Sequence, residues 1–207
     1  MKTSRKIFVI VAITVWLVVI GAGLAVLLNY ENRPGSSLAA PAEWPADSKI
    51  QRDQDRQTMV MLAHPHCPCT RASIGELARL MTEVNGRLTV YVLFVKPEIF
   101  STEWEKTDLW ESASLIPGVR VMKDDAGIEA RRFHALTSGD TVLYDQNGKL
   151  LFSGGITSAR GHEGDNPGRS AIASFIETGE ANQRHTEVFG CALFSGNEEC
   201  PMEGEGH

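Results

Sequence analysis

Two cysteines separated by one proline, Cys67-Pro68-Cys69, stand at the junction of two contrasting patterns. Before them Thr58 to Leu62 (TMVML) is an apolar, strand-like run, followed by the short turn Ala63-His64-Pro65-His66. After them, in TRASIGELARLM, Ile74, Leu77, Leu80 and Met81 recur at helical spacing. A strand ending in a cysteine-bearing turn that opens into a helix is suited to making a reactive thiolate. The unpaired N–H groups and the positive end of the helix dipole stabilise negative charge on sulfur. His64, His66 and Arg71 can bring further positive charge to the same place. The chemistry this predicts is redox chemistry at Cys67, with two inert thiols as the plain alternative.

The setting of those thiols depends on the N-terminus. Ile7 to Leu28 is an uncharged run of 22 residues, long enough to cross a bilayer core of about 30 Å as a helix. Lys2, Arg5 and Lys6 precede it, which by the positive-inside bias puts the N-terminus in the cytoplasm. A cleaved signal peptide is the alternative, but its apolar core usually runs about 7–15 residues. A retained signal anchor is the reading adopted, with everything after Leu28 outside the cytoplasm, where disulfides persist. Without the three leading basic residues, 17 Lys and Arg face 26 Asp and Glu, a net charge of −9. So acidic a surface argues against nucleic acid as a partner.

The expected organisation is a basic stub and membrane span over 1–28, a Pro- and Ala-rich tether over 29–54, one domain over 55–180, and an acidic tail over 181–207 that carries Cys191 and Cys200. Within the domain, Leu88 to Val95 reads as a strand buried on both faces. A helix is expected over Thr102 to Leu115, with Thr102 and Glu105 spaced as a capping box. Val119 to Met122 is a short strand, and Asp124 or Asp125 caps a helix through Phe133. Asn147-Gly148 between Thr141–Tyr144 and Lys149–Ser153 predicts a hairpin. Asp165 or Asn166 caps, and Pro167 opens, a closing helix to Thr178. Trp104 and Trp110 are expected in the core.

This order of elements over Thr58 to Thr178 resembles the thioredoxin-like superfamily. The segments HPHCPCTRAS, DLWESASLIPGV, EARRFHALTSGDTVLYD, FSGGITSARGHEGDN and VFGCALF are similar to membrane-anchored bacterial redoxins of the RedB-like type. The resemblance implies an α/β fold with a central mixed sheet flanked by helices. It implies a thiol-disulfide oxidoreductase on the periplasmic side of the inner membrane, acting on protein thiols and disulfides, with a membrane redox partner possible. There are two departures. The superfamily's second cysteine position is Thr70 here, and its cis-proline is replaced by Thr137-Ser138-Gly139-Asp140.

By alignment with the superfamily nucleophile Cys67 is the attacking thiolate, and Cys69 its nearer resolving partner. A C-x-C pair can reach the roughly 4.4–6.8 Å separation of bridged Cα atoms, though Pro68 restricts and strains the ring. The fold places RGHEGDN near Cys67, so that His162 can exchange protons and Arg160 can stabilise a thiolate; a merely well-capped loop is the alternative. Cys191 can resolve an intermediate on Cys67 or pair with Cys200. Four cysteines allow three full pairings, and spacing does not choose among them. Copper is the rival ligand, as Cu(I) held by Cys67, Cys69, His66 or His64, and His162 or His134. A peroxidase recruiting Thr70, Arg71 and Arg160 ranks last, and a non-catalytic envelope domain is the remaining reading.

Overall fold

The computed structural model describes residues 2–100 and 103–194, with side chains from Arg5 onward. It divides into two units, Met1–Arg33 and Pro34–His207. The first unit is helix α1, Lys2–Glu31. Within it Arg5–Glu31 is long and apolar enough to cross a membrane, at a mean hydropathy of 2.8. Its apolar side chains, Phe8, Trp16 and Val26 among them, are exposed on every side, the pattern of a helix whose solvent is lipid or whose fate is removal as a signal.

In the second unit five strands form one mixed sheet in the order β3-β2-β1-β4-β5. β1 (Gln57–Ala63), β2 (Leu88–Lys96) and β3 (Val119–Asp125) run parallel, and β4 (Asp140–Tyr144) and β5 (Leu150–Gly154) complete it antiparallel. The parallel strands β1 and β2 are buried on both faces, as crossover helices on both sides require. Successive side chains alternate between those faces. Met59, Met61 and Ala63 pack with α2 (Pro68–Val84), α3 (Asp108–Ser114) and α5 (Pro167–Thr178). Val60 and Leu62 pack on the other side with Phe133 and with α4 (Ile128–Arg132). Asp124 caps α4 as expected, its carboxylate accepting from the N–H groups of Glu129 and Ala130. Asn166 does the same for α5 through Arg169 N–H.

Three expectations are corrected. The helix expected from Thr102 begins at Asp108, behind a turn in which Glu103 takes a left-handed φ of 77°; Thr102, half of the expected capping box, lies outside the described residues. The expected tether is loose at most to Arg33. From Gly35 on it lies along the domain, because Trp44 meets Phe133 and Tyr144 edge-on, each at 5.2 Å. Tyr144 Oη also donates to Pro41 O, and Leu150 N–H to Ala42 O. The described part of the expected tail, 181–194, is a strap packed on the domain. Thr186 N–H donates to Ser153 O, Gly155 N–H to Glu187 O and Leu193 N–H to Leu136 O.

A buried carboxylate fixes the loop between β5 and α5. Glu76 on α2 is fully buried, accepts from Gly164 N–H at 2.8 Å and Asn166 Nδ2 at 3.1 Å, and pairs with Arg79 and Arg169. Removing it leaves Gly164 N–H and the Arg169 Nε without their buried carboxylate, while Arg79 keeps Glu163 and Arg169 keeps Glu83. We expect Glu76→Ala to cost about 3–5 kcal/mol of stability in chemical denaturation of the full chain in detergent; a loss below about 1 kcal/mol contradicts this reading.

Asp140, opposite Leu62 in the sheet, is 7 % exposed, and burial pushes its carboxyl up to about 7, against a smaller opposing pull from Thr141 N–H. The folded chain therefore holds a proton that the unfolded chain has already released above its ordinary value near 3.8. Stability falls as pH rises between about 4 and 7, on the order of a few kcal/mol. Asp140→Asn should remove that slope in denaturation curves taken across the same range; an unchanged slope would place the titration elsewhere.

Candidate functional site: a three-thiol cluster at a helix N-terminus

Cys67 is the N-cap of α2, in extended conformation at φ −90° and ψ 117°, and Pro68 opens the helix. Proline is well placed there because the first helical N–H groups have no intrahelical partner. β1, buried along all but its first residue, ends at Ala63, four residues before the cysteine. Cys67 is wholly buried and Cys69 is 9 % exposed.

Around the Cys67 sulfur the donors converge. Cys191 N–H donates to Sγ at 3.3 Å. The thiols of Cys191 and Cys69, that backbone N–H and the Thr70 hydroxyl together hold the Cys67 thiol below the usual range, against the opposing effect of burial. The cost falls on Cys69, whose thiol is pushed above the usual range by the negative sulfur of Cys67 and by burial, with Arg160 pulling the other way. The two shifts run in opposite directions, as strong coupling between two close acids dictates. Cys67, Cys69 and Cys191 all carry thiols in this structure.

The departures from the thioredoxin-like pattern have structural uses. Thr70 is buried, and its hydroxyl lies 2.7 Å from that of Ser138. Ser138 in turn accepts from His64 N–H at 2.8 Å, which ties the cysteine turn to the segment before β4. Ser138 also keeps a backbone N–H that a proline lacks, and this donates to Cys191 O at 2.8 Å. The peptide bonds of the described residues are all trans.

The remaining expected residues divide. Arg160 reaches the site, donating to Gly190 O at 2.6 Å and acting on Cys69. His64 lies beside Cys67; burial lowers its pKa, against the opposing charge on Cys67, so the ring stays neutral near pH 7. His66 turns outward and meets Trp104 O at 3.1 Å. His162 is exposed on its loop, and Arg71 pairs with Asp108 at the surface. His134 is held by Ala39 O at 2.8 Å. The histidines offered for a copper site therefore point to different partners, and among the described residues no three His, Cys, Asp or Glu side chains are grouped to hold a metal ion. Cys200 lies outside the described residues.

Trp110 packs on the core near Phe94, as expected. Trp104 does not: it stacks on Phe100 at 4.4 Å and meets His66 at 4.5 Å, as a partly exposed aromatic ledge beside the cysteine turn. Nothing in its spacing set it apart from Trp110. The contact between Cys191 and Cys67 was legible only as an apolar stretch able to fold back.

No family model matches the chain, and the search of curated proteins finds no match either. Solved structures do match in fold. A hypothetical protein from Sinorhizobium meliloti has a TM-score of 0.60 at 17% identity, covering 76% of this chain and 96% of its own. An uncharacterised protein from Geobacillus kaustophilus has a TM-score of 0.57 at 17% identity, covering 81% and 95%. The exposed lipoprotein thioredoxin Etrx1 from Streptococcus pneumoniae matches at a TM-score of 0.45 and 15% identity, over 67% and 98%. At these identities the likeness is one of fold alone, an α/β fold with a central mixed sheet flanked by helices.

Proposed function

We propose that the chain is a thiol-disulfide oxidoreductase whose attacking group is Cys67. The observation that carries this reading is the buried Cys67 sulfur at the start of α2, with the Cys191 N–H on it at 3.3 Å and two further thiols around it. Exchange proceeds by attack of a thiolate on a disulfide sulfur. A sulfur held as thiolate next to a protonated thiol supplies both an attacking group and a partner that can resolve the mixed disulfide. Arg160 assists by offsetting the rise in the Cys69 thiol. Neutral His64 can take up or hand on a proton at the mouth of the turn.

The proposed setting is a membrane surface on the extracytoplasmic side, in the manner of a membrane-anchored redoxin of the RedB-like type. The apolar Arg5–Glu31 stretch and the basic residues ahead of it support this. Partners are then protein thiols and disulfides, and a membrane redox protein can recharge the pair.

Two measurements test the reading on the full chain in detergent. In exchange of a model disulfide peptide with glutathione, Cys67→Ser should abolish turnover, whereas undiminished turnover would remove Cys67 from the reaction. The pH profile of Cys67 alkylation should have its midpoint below the ordinary thiol value of about 8.5. Cys69→Ala removes one hydrogen bond to a charged sulfur, and should raise that midpoint by about 1–2 pH units. A midpoint at or above the ordinary value in the unmutated chain contradicts the proposed thiolate.

A further inference from the structure

Cys67 cannot exchange as it stands. It is fully buried, and what crosses it is the strap segment Phe189–Ala192. That segment is bounded by two buried anchors, Val188 and Leu193, at 1 % and 3 % exposure. Between them Phe189, Cys191 and Ala192 are partly or fully exposed. Arg160 donates to Gly190 O, Ser138 N–H donates to Cys191 O, Ala192 forms an isolated antiparallel bridge with Thr137, and Cys191 N–H donates to the Cys67 sulfur. The crossing is close because residue 190 is glycine: a Cβ there would lie 2.0 Å from Ser138 O. The residue this crossing presents to the reactive sulfur is a cysteine, whose N–H lies 3.3 Å from that sulfur and whose thiol is the foremost group acting on it.

Resting on the exchange reading above, we propose that Phe189–Ala192 is a displaceable arm and that Cys191, not Cys69, first resolves the Cys67 intermediate. The arm lifts to admit a substrate disulfide R–S–S–R′. The Cys67 thiolate attacks one sulfur, forming Cys67–S–S–R and expelling R′S⁻. The arm returns, and the Cys191 sulfur attacks Cys67 Sγ. The Cys67–Cys191 bond forms, the bond to R breaks, and RS⁻ leaves with the proton that Cys191 gives up. The substrate disulfide is thereby reduced to two thiols, and the protein pair is oxidised by the same two electrons. Cys69 can then attack Cys67 Sγ, moving the disulfide to Cys67–Cys69 and releasing Cys191 as a thiol; a second turn needs an external dithiol reductant, which reduces that disulfide to two thiols and is itself oxidised. Run backward, the same steps oxidise a dithiol substrate. Cys191 suits the first resolving step because it approaches from a separate segment. A Cys67–Cys69 bond closes a ring across Pro68, whereas a Cys67–Cys191 bond carries no such restriction. The grip of the arm is also linked to the redox state. A charged sulfur accepts the Cys191 N–H strongly, and a sulfur already in a disulfide accepts it weakly.

The test uses the full chain in detergent with Cys200→Ser and, as probe, the mixed disulfide of glutathione with thionitrobenzoate. Attack by Cys67 releases the coloured thionitrobenzoate, and resolution then releases glutathione, followed by acid quenching and mass mapping. Cys69→Ser should still release glutathione and accumulate a Cys67–Cys191 disulfide. Cys191→Ser should hold glutathione on Cys67 at least about tenfold longer, the scale on which losing a dedicated resolving thiol shows. Gly190→Val, which pushes the arm off Ser138, should move the two steps in opposite directions, with a faster coloured burst and slower glutathione release. Arg160→Ala, which frees Gly190 O, serves as the second arm variant if Gly190→Val fails to fold. Release as fast in Cys191→Ser as in the unmutated chain overturns the proposal and leaves exchange at Cys67 standing. No coloured burst from any form of the chain, the arm variants included, overturns both.

Discussion

The sulfur of Cys67, buried at the start of α2 and met by the N–H of Cys191, is the constraint on which the rest of this molecule depends. An ionised group removed from water must be met by donors, or it takes up a proton instead. At Cys67 those donors come from three places in the chain: the α2 turn with Cys69 and Thr70, the segment before β4 through its hold on the strap, and the strap itself through Cys191. Much of the scaffold can be understood as a means of bringing these together. β1 delivers the turn from the centre of the sheet. β4, antiparallel beside β1, delivers Ser138 to the same end.

The strap completes the cover at a distance from its own neighbours in sequence, and it depends on backbone approaching backbone. Gly154, Gly155 and Gly190 lie so near Thr186 O, Glu187 O and Ser138 O that a Cβ at any of them would fall at 2.2, 2.7 and 2.0 Å. The loop that carries Arg160 is tied at its far end by the buried Glu76 network. Arg160 therefore stands between a rigid anchor and the cover it helps hold. The site thus joins a fixed half, the helix and sheet, to a strap whose Phe189, Cys191 and Ala192 are partly or fully exposed. Segments of the second kind are the ones that open locally at low free energy.

What was legible in the sequence follows from what is local. The strand, C-x-C turn and helix could be read off apolar periodicity and the Pro68 position, and the hairpin off Asn147-Gly148, because each is set by residues close together in the chain. The caps at Asp124 and Asn166 were legible for the same reason. The failures are tertiary. Pro- and Ala-rich composition suggested a tether, and nothing local announces that Trp44 has a slot between Phe133 and Tyr144. The acidic residues of the strap concealed a chain whose buried contacts are made by Val188 and Leu193. The histidines near the cysteines could not be told apart by spacing: His66 and His134 are each engaged by a backbone carbonyl, while His64 lies beside Cys67. The absence of a proline in Thr137-Ser138-Gly139-Asp140 was legible as a departure, and only the fold shows the Ser138 N–H it leaves available to Cys191.

The central claim is that Cys67 is a redox-active thiol in equilibrium with a disulfide. The most direct measurement is a titration of the full chain in detergent across glutathione buffers, with alkylation of free thiols and mass mapping of every cysteine at each potential. The account predicts a reversible two-electron transition of a disulfide that contains Cys67, at a potential between about −120 and −270 mV. A Cys67 that stays reduced across that whole range would contradict it.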